Sequence, residues 1–269
     1  MVTFSGSPFT ANQFNSSTNR HYLQVKSGPN NGLISEIVST ALNSITLADN
    51  LDSIIEDNTT LFDIIPYWTL ATAFPGGAGL KTGTSAASAD NLTVTEIPSG
   101  VAQTYFYNSS ANQWRKGITD SSHVIIPPGS GLLITRKDVT SVGVVISGQV
   151  PTGPTQTDIV AGTASAAKLT YVANPYPIAS RTLANSGLYT GNPSTGLVGG
   201  TSSAAADNLT IYNPTTGVAD TYYFNTSFNQ WRKGITDSSN VVIPDGSAIV
   251  ISRKANRGAF EWYIPQPTF

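Results

Sequence analysis

Cysteine does not occur in the 269 residues of this chain. Its absence removes disulfides, thiolate nucleophiles and cysteine-ligated zinc, and leaves the redox compartment unreadable from thiol usage. Charge is scarce too: Asp, Glu, Lys and Arg make up 11% of the sequence, against the ~25% usual in soluble domains. Ser, Thr, Asn and Gly take their place, which predicts a neutral, hydrogen-bonding surface of the kind many exported proteins carry. A formal net charge of −2 and a pI near 5.6 supply no basic field to gather phosphates, so nucleic acid is not an expected partner. No stretch reaches the ~20 consecutive apolar residues that span a bilayer, and membrane insertion is not expected. Histidine occurs only at His21 and His123, and no G-x-S-x-G, H-E-x-x-H or phosphate-loop pattern is present. The expectation is a non-catalytic protein without a cofactor.

The opening MVTFSGSPFT has neither a basic n-region nor an apolar h-region, so it does not read as a signal peptide. An extracellular or cell-surface location therefore assumes a leader removed ahead of Met1.

What the chain does contain is an internal repeat. The string NQWRKGITDSS stands at Asn112–Ser122 and again at Asn229–Ser239. Shifting the chain against itself by 117 positions aligns Ala89–Lys137 with Ala206–Lys254 without a gap, with 31 identities among 49 positions. Upstream, Pro66-Tyr67 answers Pro175-Tyr176 once about eight extra residues are allowed in the second copy. Units of ~90–100 residues suit tandem β modules better than a solenoid, whose period is ~20–50.

Inside each unit the pattern is strand after strand. Asn91–Thr95 and Asn208–Tyr212 alternate apolar residues with Thr, and Thr104–Tyr107 and Thr221–Phe224 are aromatic β-formers. Short polar loops then lead into QWRKGI, as in a hairpin. Val124–Ile126 and Val241–Ile243 run into PPGS and PDGS turns, after which Leu132–Thr135 and Ile249–Ser252 fold back. Such regular short strands predict an all-β fold: two tandem β-sandwich or barrel-like modules, at 64–150 and 158–269, behind a β-rich N-terminal segment at 1–63. Within that segment, Val2–Phe4, His21–Val25, Leu33–Val38 and Ser44–Leu47 read as strands and LDSIIEDNTTLFDII as room for a brief helix. It forms either a β subdomain of its own or extra strands covering an edge of the first unit. Gly148–Thr157 reads as the linker between units, and Phe260–Ile264 as a last strand.

Candidate functional residues sit in the duplicated frame. Arg115, Arg136, Arg232 and Arg253, each beside a lysine, belong to doublets that hold 8 of the 14 basic residues. Alternation places Trp114 and Trp231 in the core, with Arg115 and Arg232 on the opposite face. The plain reading makes the arginines structural partners of the duplicated Asp90, Asp207, Asp120 and Asp237. The sharper one is a basic strip that grips an acidic polysaccharide. Tyr105, Tyr107, Tyr222 and Phe224 could stack into a sugar platform or pack against a neighbouring unit. Asp90 with Asn91, or Asp120 with Ser121, could help hold calcium, but the dense acidic spacing of a calcium loop is missing. A hydrolase would need two carboxylates facing across a cleft.

The order NPYP, ADNLT, TYYFN, QWRK and VVIPDGSAIVISRK resembles an uncharacterised family of exported β-rich repeat proteins best known from verrucomicrobial genomes. The likeness covers roughly Ile64 to Lys254. It is also similar, more distantly, to β-sandwich modules of bacterial secreted proteins kept at the cell surface. The resemblance implies an exported, non-catalytic protein and carries over no site residues. With the edge strands at both termini, the expectation is a structural surface protein that assembles with itself as an oligomer, filament or lattice. A carbohydrate-binding or adhesive module is the alternative.

Overall fold

The computed structural model describes residues 1–51, 55, 59–96, 99–140, 142–144, 153–176, 181–213, 216–244 and 247–265. The fold is all β, with 41% of residues in strands and 3% in helix. All strand ladders among the described residues are antiparallel. No helix among the described residues is long and apolar enough to cross a membrane.

The N-terminal residues build a sheet of their own. Its strands run in the order Val2–Thr3, Ser44–Leu47, Ile34–Thr40, Asn19–Val25 and Asn15–Ser16, and Phe62–Pro66 pairs along Asn19–Val25 as well. Alternation drives Leu23, Val25, Ile37, Ile45 and Leu47 into one small core. A register shift between Ile37 and Ser39 turns Val38 outward. Phe62, Phe4, Phe9, Phe14 and His21 meet edge to face in succession, at centroid distances of 4.8 to 5.8 Å. His21 is thus a packing residue. The brief helix expected before Ile65 is not found where the chain is described, because Phe62–Pro66 is a strand; residues 52–54 and 56–58 of that expectation lie outside the described residues. The short helix present instead is Leu70–Ala73, capped by a reciprocal Thr69 and Thr72 pair.

The duplicated stretches form two sheets with one plan. The first runs Thr119–Asp120, Gln113–Lys116, Val101–Asn108, Asn91–Glu96, Leu133–Thr135. The second runs Thr236–Asp237, Gln230–Lys233, Ala219–Asn225, Asn208–Tyr212, Ala248–Arg253, and adds Lys168–Ala173 beyond. Partners match at the 117-residue offset: Trp114 lies opposite Tyr107 and Trp231 opposite Phe224, Leu92 opposite Tyr105 and Leu209 opposite Tyr222, Ile134 opposite Leu92 and Ile251 opposite Leu209. Even the Thr93 to Thr104 hydroxyl contact, 3.1 Å, recurs between Thr210 and Thr221 at 3.1 Å.

Each sheet buries one face beneath a thinner layer. Over the first lie Leu70, Ala73, Phe74 and Leu80, with Ile126 from the small ladder of Ile125–Ile126 against Trp68–Thr69. Over the second lie Leu183, Leu188 and Leu197 with Ile159, Phe260, Trp262 and Ile264. The last four belong to a two-stranded ribbon of Thr155–Ile159 and Phe260–Ile264. The second broad sheet thus faces a ribbon and loops, and the first faces the short helix, loops and the small ladder. The ribbon also corrects the expected linker, whose Thr155–Thr157 end is strand.

Apart from the covering layers, the two plans part at the upstream strand. The Pro66-Tyr67 and Pro175-Tyr176 landmarks put Phe62–Pro66 level with the end of Lys168–Ala173, yet the former pairs with the N-terminal sheet and the latter with Ala248–Arg253. Lys168–Ala173 also bridges backward, Val172 to Ser130, which ties the second sheet to the turn ahead of Leu133–Thr135.

Trp114 and Trp231 are 1% and 2% exposed. Replacing either with Ala should cost about 3–5 kcal/mol, measured by urea denaturation; a loss below about 1 kcal/mol at one of them would show that its core does not depend on it.

Candidate functional site

The duplicated polar residues converge on a buried bracket in each unit. Asp90 accepts the backbone N–H groups of Lys81 at 2.8 Å and Lys137 at 2.6 Å, and Arg136 Nε lies 2.7 Å from its Oδ2. Asp207 repeats this, with Val198 N–H at 2.8 Å, Lys254 N–H at 2.9 Å and Arg253 Nη1 at 2.6 Å. All six partners obey the 117-residue offset. Each aspartate thereby ties the start of one strand to the loop before it and to the end of the neighbouring strand. Both carboxylates are sealed from solvent, and burial of an ion is tolerable only when its lone pairs are filled in this way.

The arginines differ between units. Arg253 is wholly buried, donates further to the carbonyls of Gly196 at 3.1 Å and Gly258 at 3.1 Å, and lies over the Phe260 ring at 4.8 Å. Burial pulls its pKa down and Asp207 opposes that, without threatening a charge that guanidinium keeps in proteins. Arg136 remains partly exposed; its Nε approaches Asp90 off-line, so the contact is ionic more than a hydrogen bond, and its Nη2 donates to Thr140 O at 3.0 Å.

These positions correct the basic strip. Arg253 cannot reach a ligand and Arg136 has its carboxylate partner. Arg115 and Arg232 sit three strands away from them, about 14 Å at ordinary strand spacing. Arg115 lies opposite Asp120 and, with the Gln113 amide turned to face it, is accepted at 2.9 and 3.1 Å. Arg232 donates to Ile235 O and lies 4.1 Å over the Phe228 ring. The four do not share one surface.

The aromatic platform is corrected as well. Tyr105, Tyr107 and Tyr222 are 2%, 9% and 6% exposed and belong to the cores, and Phe224 stacks on Tyr189 at 3.5 Å. Burial, aided by Glu96, pushes the Tyr105 phenol up to about 12. Asp120 and Asp237 accept the N–H of Ser122 and Ser239, both at 2.9 Å. Those bonds hold the two carboxyls below their ordinary range, and the aspartates close turns. Among the described residues, no three His, Asp or Glu side chains gather as a cation's ligands.

Two features escaped the sequence. The KGIT turns leave Ile118 and Ile235 90% and 89% exposed at hairpin tips, where Gly117 and Gly234 supply the positive φ. An apolar residue after a turn glycine in a polar string was the available signal. The second is a cavity of about 630 Å³ between the N-terminal sheet, the first unit and the ribbon, with Arg20, Glu36, Asp49, Glu96, His123 and Asp158 in its wall. Its acids lie far apart in sequence, so no local pattern announces them.

Comparison with protein-family models, with curated proteins and with solved structures gave no match.

Asp207→Ala should cost about 3–5 kcal/mol, since it strands the buried Arg253. Asp90→Ala should cost less, about 1.5–3 kcal/mol, because Arg136 can turn to water. Equal losses in urea titrations would contradict that asymmetry.

Proposed function

We propose that the chain is a non-catalytic structural component of an extracellular surface that assembles with copies of itself. The observation that carries this reading is where the duplicated polar residues go: Asp90 with Arg136 and Asp207 with Arg253 are consumed inside their units. What the repeat keeps outward is small. Each sheet ends, among the described residues, on a two-residue strand, Thr119–Asp120 or Thr236–Asp237, beside an exposed isoleucine. Edges this short offer few ladder bonds, so burial of Ile118 and Ile235 has to supply the rest of the contact. Two equivalent attachment points on one chain favour open chains of subunits over a closed dimer. The low charge and the resemblance noted above support export. The carbohydrate-binding alternative loses support because the aromatics it relied on are core residues.

Light scattering of the purified protein should show mass rising with concentration, with filaments or sheets by electron microscopy. Ile118→Lys with Ile235→Lys should abolish both while leaving the unfolding free energy within about 0.5 kcal/mol of the parent, as surface changes do. A monomer at every concentration, with no ordered assemblies, contradicts the reading.

A further inference from the structure

The ribbon holds a like-charge pair one step in from its Ile159–Phe260 end. Asp158 on one strand lies directly opposite Glu261 on the other, a cross-strand arrangement that destabilises when both carry the same charge. Their neighbours Ile159, Phe260 and Trp262 turn inward, so both acids project from the outer face. That face looks onto the N-terminal sheet, which brings Asp49 to the same place. Asp49 is fixed there by Ser35, whose Oγ donates to Oδ2 at 2.7 Å and accepts the Asp49 N–H at 3.2 Å. The sheet is held close: at Gly32, with φ of 96°, a Cβ would collide with the Pro154 carbonyl, and Asn31 closes on Gly153 in the same way.

Among the described residues, the other charged and titratable groups facing this point are few. From the N-terminal sheet come Arg20 and Glu36, which pair with each other, and from the segment after it comes Tyr67. The first unit contributes Glu96 and His123. On the ribbon, Tyr263 shares the face of Glu261. On the far side, the described wall around Asp158 and Glu261 holds Ser194, Thr195 and apolar residues. Arg20 is the sole arginine or lysine among these groups, and it is already engaged.

We propose that the seam between the N-terminal sheet and the ribbon is a proton-operated joint: Asp158 and Glu261 share a proton and hold the sheet down in mild acid, and when both ionise they repel each other and Asp49 and loosen it. The energetics agree in direction. Desolvation first, then Asp49, pushes the Asp158 carboxyl up; desolvation, then Asp158 and Asp49, does the same for Glu261. A carboxyl whose folded pKa is raised costs stability above that value. The cost is relieved as pH falls through the raised values toward the ordinary 3.8 and 4.5. Asp120, held low by the Ser122 N–H, has the opposite sign and serves as a control.

The test uses the whole chain. Asp158→Asn and Glu261→Gln should each raise Tm at pH 7.5 by about 2–4 °C, with the gain vanishing near pH 4.5, whereas Asp120→Asn should give no gain at pH 7.5. Because the parent has no cysteine, Ser39→Cys and Ser194→Cys can carry spin labels across the seam; their distance distribution should be narrow at pH 5 and broad at pH 8, and stay narrow at pH 8 with Asp158→Asn. Carbon-13 titration should show the pair losing its protons in two coupled steps. Independent titration at ordinary carboxyl values, a distribution that ignores pH, or variants that lower Tm equally at both pH values would overturn the proposal. Assembly plays no part in any of these readouts.

Discussion

A buried carboxylate that gathers two backbone N–H groups and a guanidinium ties each repeated sheet together. Asp90 and Asp207 each draw two backbone N–H groups and one guanidinium onto a single point, across a gap of 46 residues between aspartate and arginine that the chain must close. Such a pair contributes little net stability compared with apolar packing, since desolvation offsets most of the attraction. What it contributes is uniqueness. A strand slipped by one residue would place an unpaired ion in the core, so the bracket penalises every register but one. The inward faces of Leu92, Tyr105 and Trp114, and of Leu209, Tyr222 and Trp231, then supply the driving force.

That division of labour explains why the same polar string is written twice. Gln113–Lys116 needs Trp114 for the core, Gly117 for the turn, and Asp120, Ser121 and Ser122 to close the return. Gln230–Lys233 needs the same set for the same reasons. Ile118 and Ile235 are the exception, because they stand almost wholly exposed at the hairpin tips. A scaffold reading gives them work in contacts between copies, and it also accounts for a surface with little charge to keep copies apart.

Local signals in the sequence were strong where structure is local. Ser44–Leu47, Asn208–Tyr212 and Phe260–Ile264 have the predicted bounds, and most other strands shift by one to three residues, since alternation and turn residues speak directly about a hairpin. The all-β class followed from them. Non-local pairing was not legible. Nothing near Thr155 says that it ladders with Ile264, nothing near Phe62 says that its strand joins the N-terminal sheet, and the Asp158 to Glu261 contact depends wholly on that long-range ribbon. The candidate site suffered from a related blindness. Strand periodicity tells which face an arginine or tyrosine takes, but not whether a second layer covers that face, and here such layers cover Arg253, Tyr105 and Tyr222.

The account stands on both aspartate brackets being supports of the fold, the second stronger than the first. Residue-resolved amide hydrogen exchange reads them directly, because the N–H groups of Lys81 and Lys137 in one unit, and of Val198 and Lys254 in the other, donate to the aspartates. All four should rank among the slowest-exchanging amides of the protein. Rapid, unprotected exchange at both members of either pair would contradict it.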